Sequence, residues 1–373
     1  MNVLILNLIL TTSENGIIKR RASIKDTMIY NFALGFIKNG CNVTLIASEE
    51  FKPTQDEVYD FDIKFLKSSL PKIFRPDLIP LPKGLREYLK YNIKNFDIVI
   101  TSEIFSMVTL LASDICKEKL VIWQEMAYHQ RKFFELPSKF WHNIVVRSFL
   151  HKCLVVPRSY PAMDFINKYT KNVSSEHIDH GVNGDILIPK DSSNESFVII
   201  SQLIPRKNIG SMIDIFSDFI SKTEFKNYKL NIIGDGEEYN SLLSKIEKLG
   251  MKENIVLHGF MPHVRMREYL RSAKAMLVNT RRDLNMVSIT ESIVVGTPIV
   301  TNTLPTTAKY IEKNHLGVVK DNWDYTDLLN VIKNNDYYRE SCLKVRDELT
   351  NVGATRKMIS IWKKWCNSYN INK

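Results

Sequence analysis

Paired cysteines, long apolar runs and low-complexity tracts are all missing from this chain of 373 residues. The five cysteines (Cys41, Cys116, Cys153, Cys342 and Cys366) are scattered, odd in number and without metal or redox spacing. That argues against a disulfide scaffold and points to reduced thiols in a cytoplasm. No apolar run reaches bilayer length, since the longest, Ile104–Ser113, is bounded by Glu103 and Asp114. The opening MNVLILNLIL has no basic leader and no small-residue cleavage site, so it reads as a buried strand instead of a signal peptide. No G-x-G-x-x-G follows that strand, which argues against a dinucleotide-binding dehydrogenase. At 44% hydrophobic and 25% charged residues, the composition is that of a globular protein long enough for two domains with a core each.

What is present in excess is positive charge, +10 in total. Residues 1–190 hold 25 basic and 20 acidic side chains and the remainder holds 26 and 21, so each half carries +5. So diffuse a balance gives no ground for nucleic-acid binding. The local exception is residues 63–95, where Lys64, Lys67, Lys72, Arg75, Lys83, Arg86, Lys90 and Lys94 face only Asp77 and Glu87. Large apolar side chains such as Phe65, Ile73, Phe74, Leu78 and Ile79 interleave with them. That mixture is expected on a surface that meets an anionic membrane.

Short β-branched runs recur along the chain, each followed by a helical pattern. In the first half they are Val3–Leu8, Val43–Ala47, Ile98–Thr101, Leu120–Trp123 and Leu154–Val156. The second half repeats the rhythm with Phe197–Ser201, Leu230–Ile233, Ile255–His258, Ala275–Val278 and Pro298–Thr301. Strands apolar on both faces and alternating with helices predict α/β architecture, with two Rossmann-like, doubly wound domains facing a cleft. Ser23 and Asp26 resemble a capping box for the first helix, which Asn39-Gly40 closes. The polar stretch Lys190–Ser196 marks a boundary. It separates a first domain (1–189) from a second (190–355), and residues 356–373 are expected to form a last helix that packs back on the first domain.

Ligands of open α/β sheets bind beyond the carboxyl ends of the strands. The segment TRRDLNMVSITESIVVGTPIVTN (280–302) lies there and holds Asp283, then seven uncharged residues, then Glu291. A helix starting near Met286–Ser288 offers unpaired amides and a positive dipole end to a diphosphate. Glu291, one turn in, can accept hydrogen bonds from ribose hydroxyls. In SQLIPRKN (201–208), again after a strand, Arg206 or Lys207 can reach anionic phosphate. Gly234-Asp235-Gly236 is a tight turn or a ligand loop, and NIVLHGFM (254–261) ends where backbone can approach a planar base.

In this order the pieces resemble the retaining glycosyltransferases of the GT-B fold, family 4, also called glycosyl transferases group 1. The likeness runs over roughly 197–320, and HGVNGDILIP (180–189) matches a further short motif. The resemblance implies a nucleoside-diphosphate sugar as donor. Glu291 would bind the ribose, and Asp283 hydroxyls of the sugar. Lys207 and the amides of Val287 and Ser288 would hold the diphosphate, and Phe260 and Met261 would line the base. The family works without a DxD metal motif, so neither a metal nor a further cofactor is expected. The chain departs from the pattern in three places. Asp283 replaces the usual glutamate, Leu284-Asn285-Met286 replaces glycines, and Gln202 replaces an arginine, a phosphate charge that Arg206 is positioned to restore.

In the first domain only Gly16 remains of the family's glycine-rich turn. VIWQEMAYH places Glu125 near the family's histidine and His129 one turn later, and either can orient the acceptor hydroxyl or take its proton. The expectation is therefore a retaining, metal-independent transferase. It would move a sugar to a glycan acceptor, lipid-linked, in bacterial surface polysaccharide or glycoconjugate synthesis, and would sit in the cytoplasm on the inner face of the membrane. The alternative is a non-catalytic GT-B-like subunit that binds a partner or a glycan.

Overall fold

A computed structural model describes residues 1–11, 13, 17–130, 132–282 and 286–368. The chain divides into two compact units, one of residues 1–181 with 350–373 and one of residues 182–349. In the first unit, β1 (Asn2–Leu6), β2 (Asn42–Ser48), β3 (Asp62–Leu66), β4 (Ile98–Ser102), β5 (Leu120–Gln124) and β6 (Leu154–Pro157) form a parallel sheet in the order β3-β2-β1-β4-β5-β6. Its helices are α1 (Met28–Lys38), α2 (Leu85–Asn92), α3 (Met107–Cys116), α4 (Leu136–Phe140), which runs on as a π-helix over Trp141–Leu150, and α5 (Tyr160–Ile166).

The second unit repeats the plan with β7 (Ser196–Ile200), β8 (Lys229–Ile233), β9 (Ile255–Gly259), β10 (Ala275–Val278), β11 (Ile299–Thr301) and β12 (Gly317–Val319). All pairings are parallel, in the order β12-β11-β10-β7-β8-β9. Here the helices are α6 (Ile209–Lys222), α7 (Tyr239–Lys248), α8 (His263–Ser272), α9 (Val287–Val294), α10 (Ala308–Lys313), α11 (Tyr325–Lys333) and α12 (Asn335–Leu349). The last helix, α13 (Asn351–Ser368), returns to the first unit.

Each sheet is apolar on both faces because helices cover both. Along β1, Val3 and Ile5 enter one core with Phe32, Phe36 and Trp123, while Leu4 and Leu6 enter another with Leu85, Leu89 and Val146. Met358, Ile361 and Trp362 of α13 complete the first of these beside α1. The two helices touch closely at Gly35, where an added Cβ would lie 2.1 Å from the Asn351 carbonyl oxygen. Asn39 and Asn351 lock the crossing by donating side-chain hydrogen bonds to Val352 O and Asn31 O, each 2.9 Å.

The structure corrects several details. The cap of α1 is Thr27, whose hydroxyl accepts from Tyr30 N at 3.4 Å, whereas Ser23 only closes a local turn with Lys25 N. β3 and β12 had no clear signal because both are sheet edges, one half exposed and the other three residues long. The crossings fall at 181/182 and 349/350, not at 190 and 356. The polar stretch after Lys190 is internal to the second unit because Arg339 and Arg346 of α12 donate to the carbonyls of Lys190, Gly184 and Leu187.

Candidate active site

Four loops at the carboxyl ends of β7, β8, β9 and β10 assemble in the second unit. Residues 201–208 leave β7 and are pinned through buried Leu203, whose N–H donates to Asp235 O and whose carbonyl accepts from Glu238 N, both at 2.9 Å. The backbones approach so closely that a Cβ on Gly234 would lie 1.8 Å from Ser201 O, at φ +143°, a region L-residues avoid. The Gly-Asp-Gly run is thus a buttress for the loop that carries Lys207. Pro205–Lys207 form a single tight turn, Asn208 at φ 52° starts α6, and Lys207 itself is buried.

The segment after β10 is tied to that same turn. Arg281 N and Thr280 Oγ1 donate to Arg206 O at 2.7 and 3.0 Å, and Arg281 donates from its guanidinium to Asn208 Oδ1 at 3.2 Å. Arg206 Nη1 donates back to Arg282 O at 3.3 Å, so its guanidinium serves the loop. Asn302, just past β11, donates from Nδ2 to Thr280 O at 2.6 Å. Asp283, which follows at once, lies outside the described residues, as does Gly16.

Glu291 sits in the second turn of α9 with its side chain 10% exposed. No hydrogen-bond donor among the described residues reaches its carboxylate; His263 Nδ1 at the start of α8 is 3.7 Å away. Burial alone pushes its pKa up to about 7. Val287 is exposed and Ser288 half-buried in the first turn of the same helix. At the end of β9, Phe260 is 81% exposed while Met261 is buried, and Gln202 lies exposed after β7.

In the first unit, Glu125 follows β5 and its Oε2 accepts from Arg158 Nη1 at 2.8 Å. Arg158, buried at the end of β6, also lies 4.2 Å from the centre of the Trp123 ring and contacts His180 Nδ1. Glu103, just past β4, accepts the amides of Glu125 and Met126 at 2.8 and 3.3 Å. Burial, and then the charge of Glu125, push its pKa up to about 7. His129 is elsewhere engaged: its two ring nitrogens meet Ser138 Oγ and Tyr169 OH, both at 2.9 Å, among the rings of His142 and Phe165. Glu103, Arg158, His180, His263 and Arg281 were not singled out from sequence. The first two directly follow strands, the rule that had drawn attention to the segment 280–302.

Residues 188–340 match the family model "Glycosyl transferases group 1". An amylovoran biosynthesis glycosyltransferase, AmsD of Erwinia amylovora, is 30% identical over 121 residues, a span of 32% of this chain and 32% of that protein. Among solved structures, a glycosyltransferase from Rickettsia africae superposes with a TM-score of 0.64 at 13% identity over 97% of this chain and 98% of that one. HepE from Anabaena in complex with UDP gives 0.61 at 13% identity over 100% of both chains. The lipopolysaccharide outer core galactosyltransferase WaaB gives 0.60 at 13% identity over 97% and 99%. At such identities these structures establish the fold, GT-B, with two Rossmann-like domains.

Proposed function

We propose that this chain, whose residues 188–340 match glycosyl transferases group 1, is a retaining, metal-independent glycosyltransferase using a nucleoside-diphosphate sugar. The observation that carries the reading is Glu291, a buried carboxylate without a hydrogen-bond donor among the described residues, at the carboxyl end of the sheet. An isolated buried carboxylate is costly, and a ribose diol would supply the missing donors. Phe260 offers an exposed ring to the base, with Met261 beneath it. Lys207 and the first amides of α9 face the diphosphate, stabilising it as it leaves and gathers charge, which is why no metal is invoked. Asp283 holds hydroxyls of the sugar.

Of the two acceptor candidates, Glu125 is the one assigned to the acceptor hydroxyl, because both nitrogens of His129 already have partners. Arg158 orients Glu125 for that task, its Nη1 donating to Oε2. The acceptor in this reading is a lipid-linked glycan in surface polysaccharide synthesis, in keeping with a relative of amylovoran biosynthesis. No described helix is long and apolar enough to cross a membrane, so contact with such an acceptor runs through an anionic leaflet, for which residues 63–95 supply charge. Saturation-transfer NMR of the purified protein with UDP-, GDP- and ADP-sugars tests the donor reading. Ribose and base protons of one nucleotide should saturate in wild type and lose their signal in Glu291→Ala; saturation that persists in the variant refutes the assignment.

A further inference from the structure

Along α4 and the π-helix, Ser138, His142, Val146 and Leu150 are buried, one residue in every four. The other side is left bare. Phe134, Leu136, Phe140, Ile144 and Phe149 are 90, 64, 60, 48 and 63% exposed. Five large apolar side chains on one short segment form more than the scattered exposure usual for a protein surface. The stretch 63–95 exposes apolar side chains as well, Leu70, Ile73, Leu78, Ile79 and Tyr91, but its helix α2 buries Leu85 and Leu89 and turns Arg86 and Lys90 outward.

The two segments are neighbours within the first unit. Leu81, Arg86 and Lys94 line a groove of about 920 Å³ together with Val145, Phe149 and Lys152 and residues of α3. Arg86 is paired with Asp114 at 2.6 Å, whereas among the described residues Lys90, Lys94 and Lys152 have no carboxylate partner. A second copy of the chain docked face to face would bring these lysines together, and a nucleic acid would offer phosphates but nothing for the phenylalanines. A leaflet of anionic lipid offers both layers, headgroup charge above and hydrocarbon below.

We propose that the exposed face of α4 and the π-helix is the element that enters an anionic membrane. Phe140, Ile144 and Phe149 lie at the headgroup boundary, and Lys90, Lys94 and Lys152 lie against the lipid phosphates. The inference rests on the membrane reading above and adds 134–149 to the apolar contact that 63–95 offers. The test is co-sedimentation with vesicles of equal parts phosphatidylcholine and phosphatidylglycerol, at low and high salt. Three proteins are compared: wild type, Phe140→Ser/Ile144→Ser/Phe149→Ser, and Lys90→Gln/Lys94→Gln/Lys152→Gln. All six positions are outward-facing, so circular dichroism should be unchanged. Binding of wild type at low salt with a loss of at least ~10-fold in the apolar variant supports the inference. Equal pelleting of wild type and apolar variant overturns it but leaves the membrane reading in place. No pelleting of wild type overturns both. A wild-type dimer in sedimentation that the apolar variant loses overturns it in favour of a second copy.

Discussion

Replacing Glu291 by glutamine should move stability and nucleotide affinity in opposite directions. In the folded chain burial raises the Glu291 pKa from 4.5 to about 7. The folded state therefore holds a proton that the unfolded state releases across that window, and stability falls as pH rises through it. By pH 8 the ionised, unsolvated carboxylate costs about 3 kcal/mol relative to an ordinary glutamate. Glutamine has no charge to desolvate, so the variant should lack this slope even if its amide packs imperfectly. Glu103 titrates in the same range and is present in both proteins, so the difference between their urea-unfolding curves against pH isolates Glu291. Nucleoside-diphosphate affinity should fall in the variant by about 1.5–3 kcal/mol, the worth of hydrogen bonds to an ionised acceptor. A pH-independent offset between the two unfolding curves would refute the desolvation argument, and unchanged affinity would refute the ribose contact.

Lys207→Ala should weaken a nucleoside diphosphate by about 1.5–3 kcal/mol and leave the nucleoside unaffected, as read by calorimetry with both ligands. Gly234→Ala, whose Cβ would overlap Ser201 O, should cost about 1–3 kcal/mol of stability and disorder the Lys207 loop, lowering nucleotide affinity as well. Arg158→Met should destabilise by about 3 kcal/mol in denaturant titration, because it removes a buried cation from Glu125.

The parts of this fold that burial dictates were readable directly. Central strands such as Val3–Leu6 and Ile98–Ile100 are continuously apolar because helices cover both faces. Edges were not readable: β3 alternates Asp62 and Lys64 with apolar residues and resembles a loop, and β12 is too short for any period. The helix cap was misjudged because Ser23 and Thr27 both have the chemistry of a cap, and only the Ile24 carbonyl, which accepts from Thr27 N and Oγ1, selects the second. Glu291 and Lys207 were singled out from their places after strands. The network of Glu103, Glu125 and Arg158 required three distant strand ends to be adjacent, which is a property of sheet order. Likewise, nothing in the spacing of His129 announces Tyr169 as its partner.

The central claim is that cationic side chains and helix amides, without a metal, support transfer with retention. Its most direct measurement is proton NMR of the first sugar product formed by the purified protein from its nucleotide sugar in excess EDTA. The account predicts an undiminished rate and a product with the anomeric configuration of the donor. An inverted product, or activity that appears only when magnesium or manganese is restored, would contradict it.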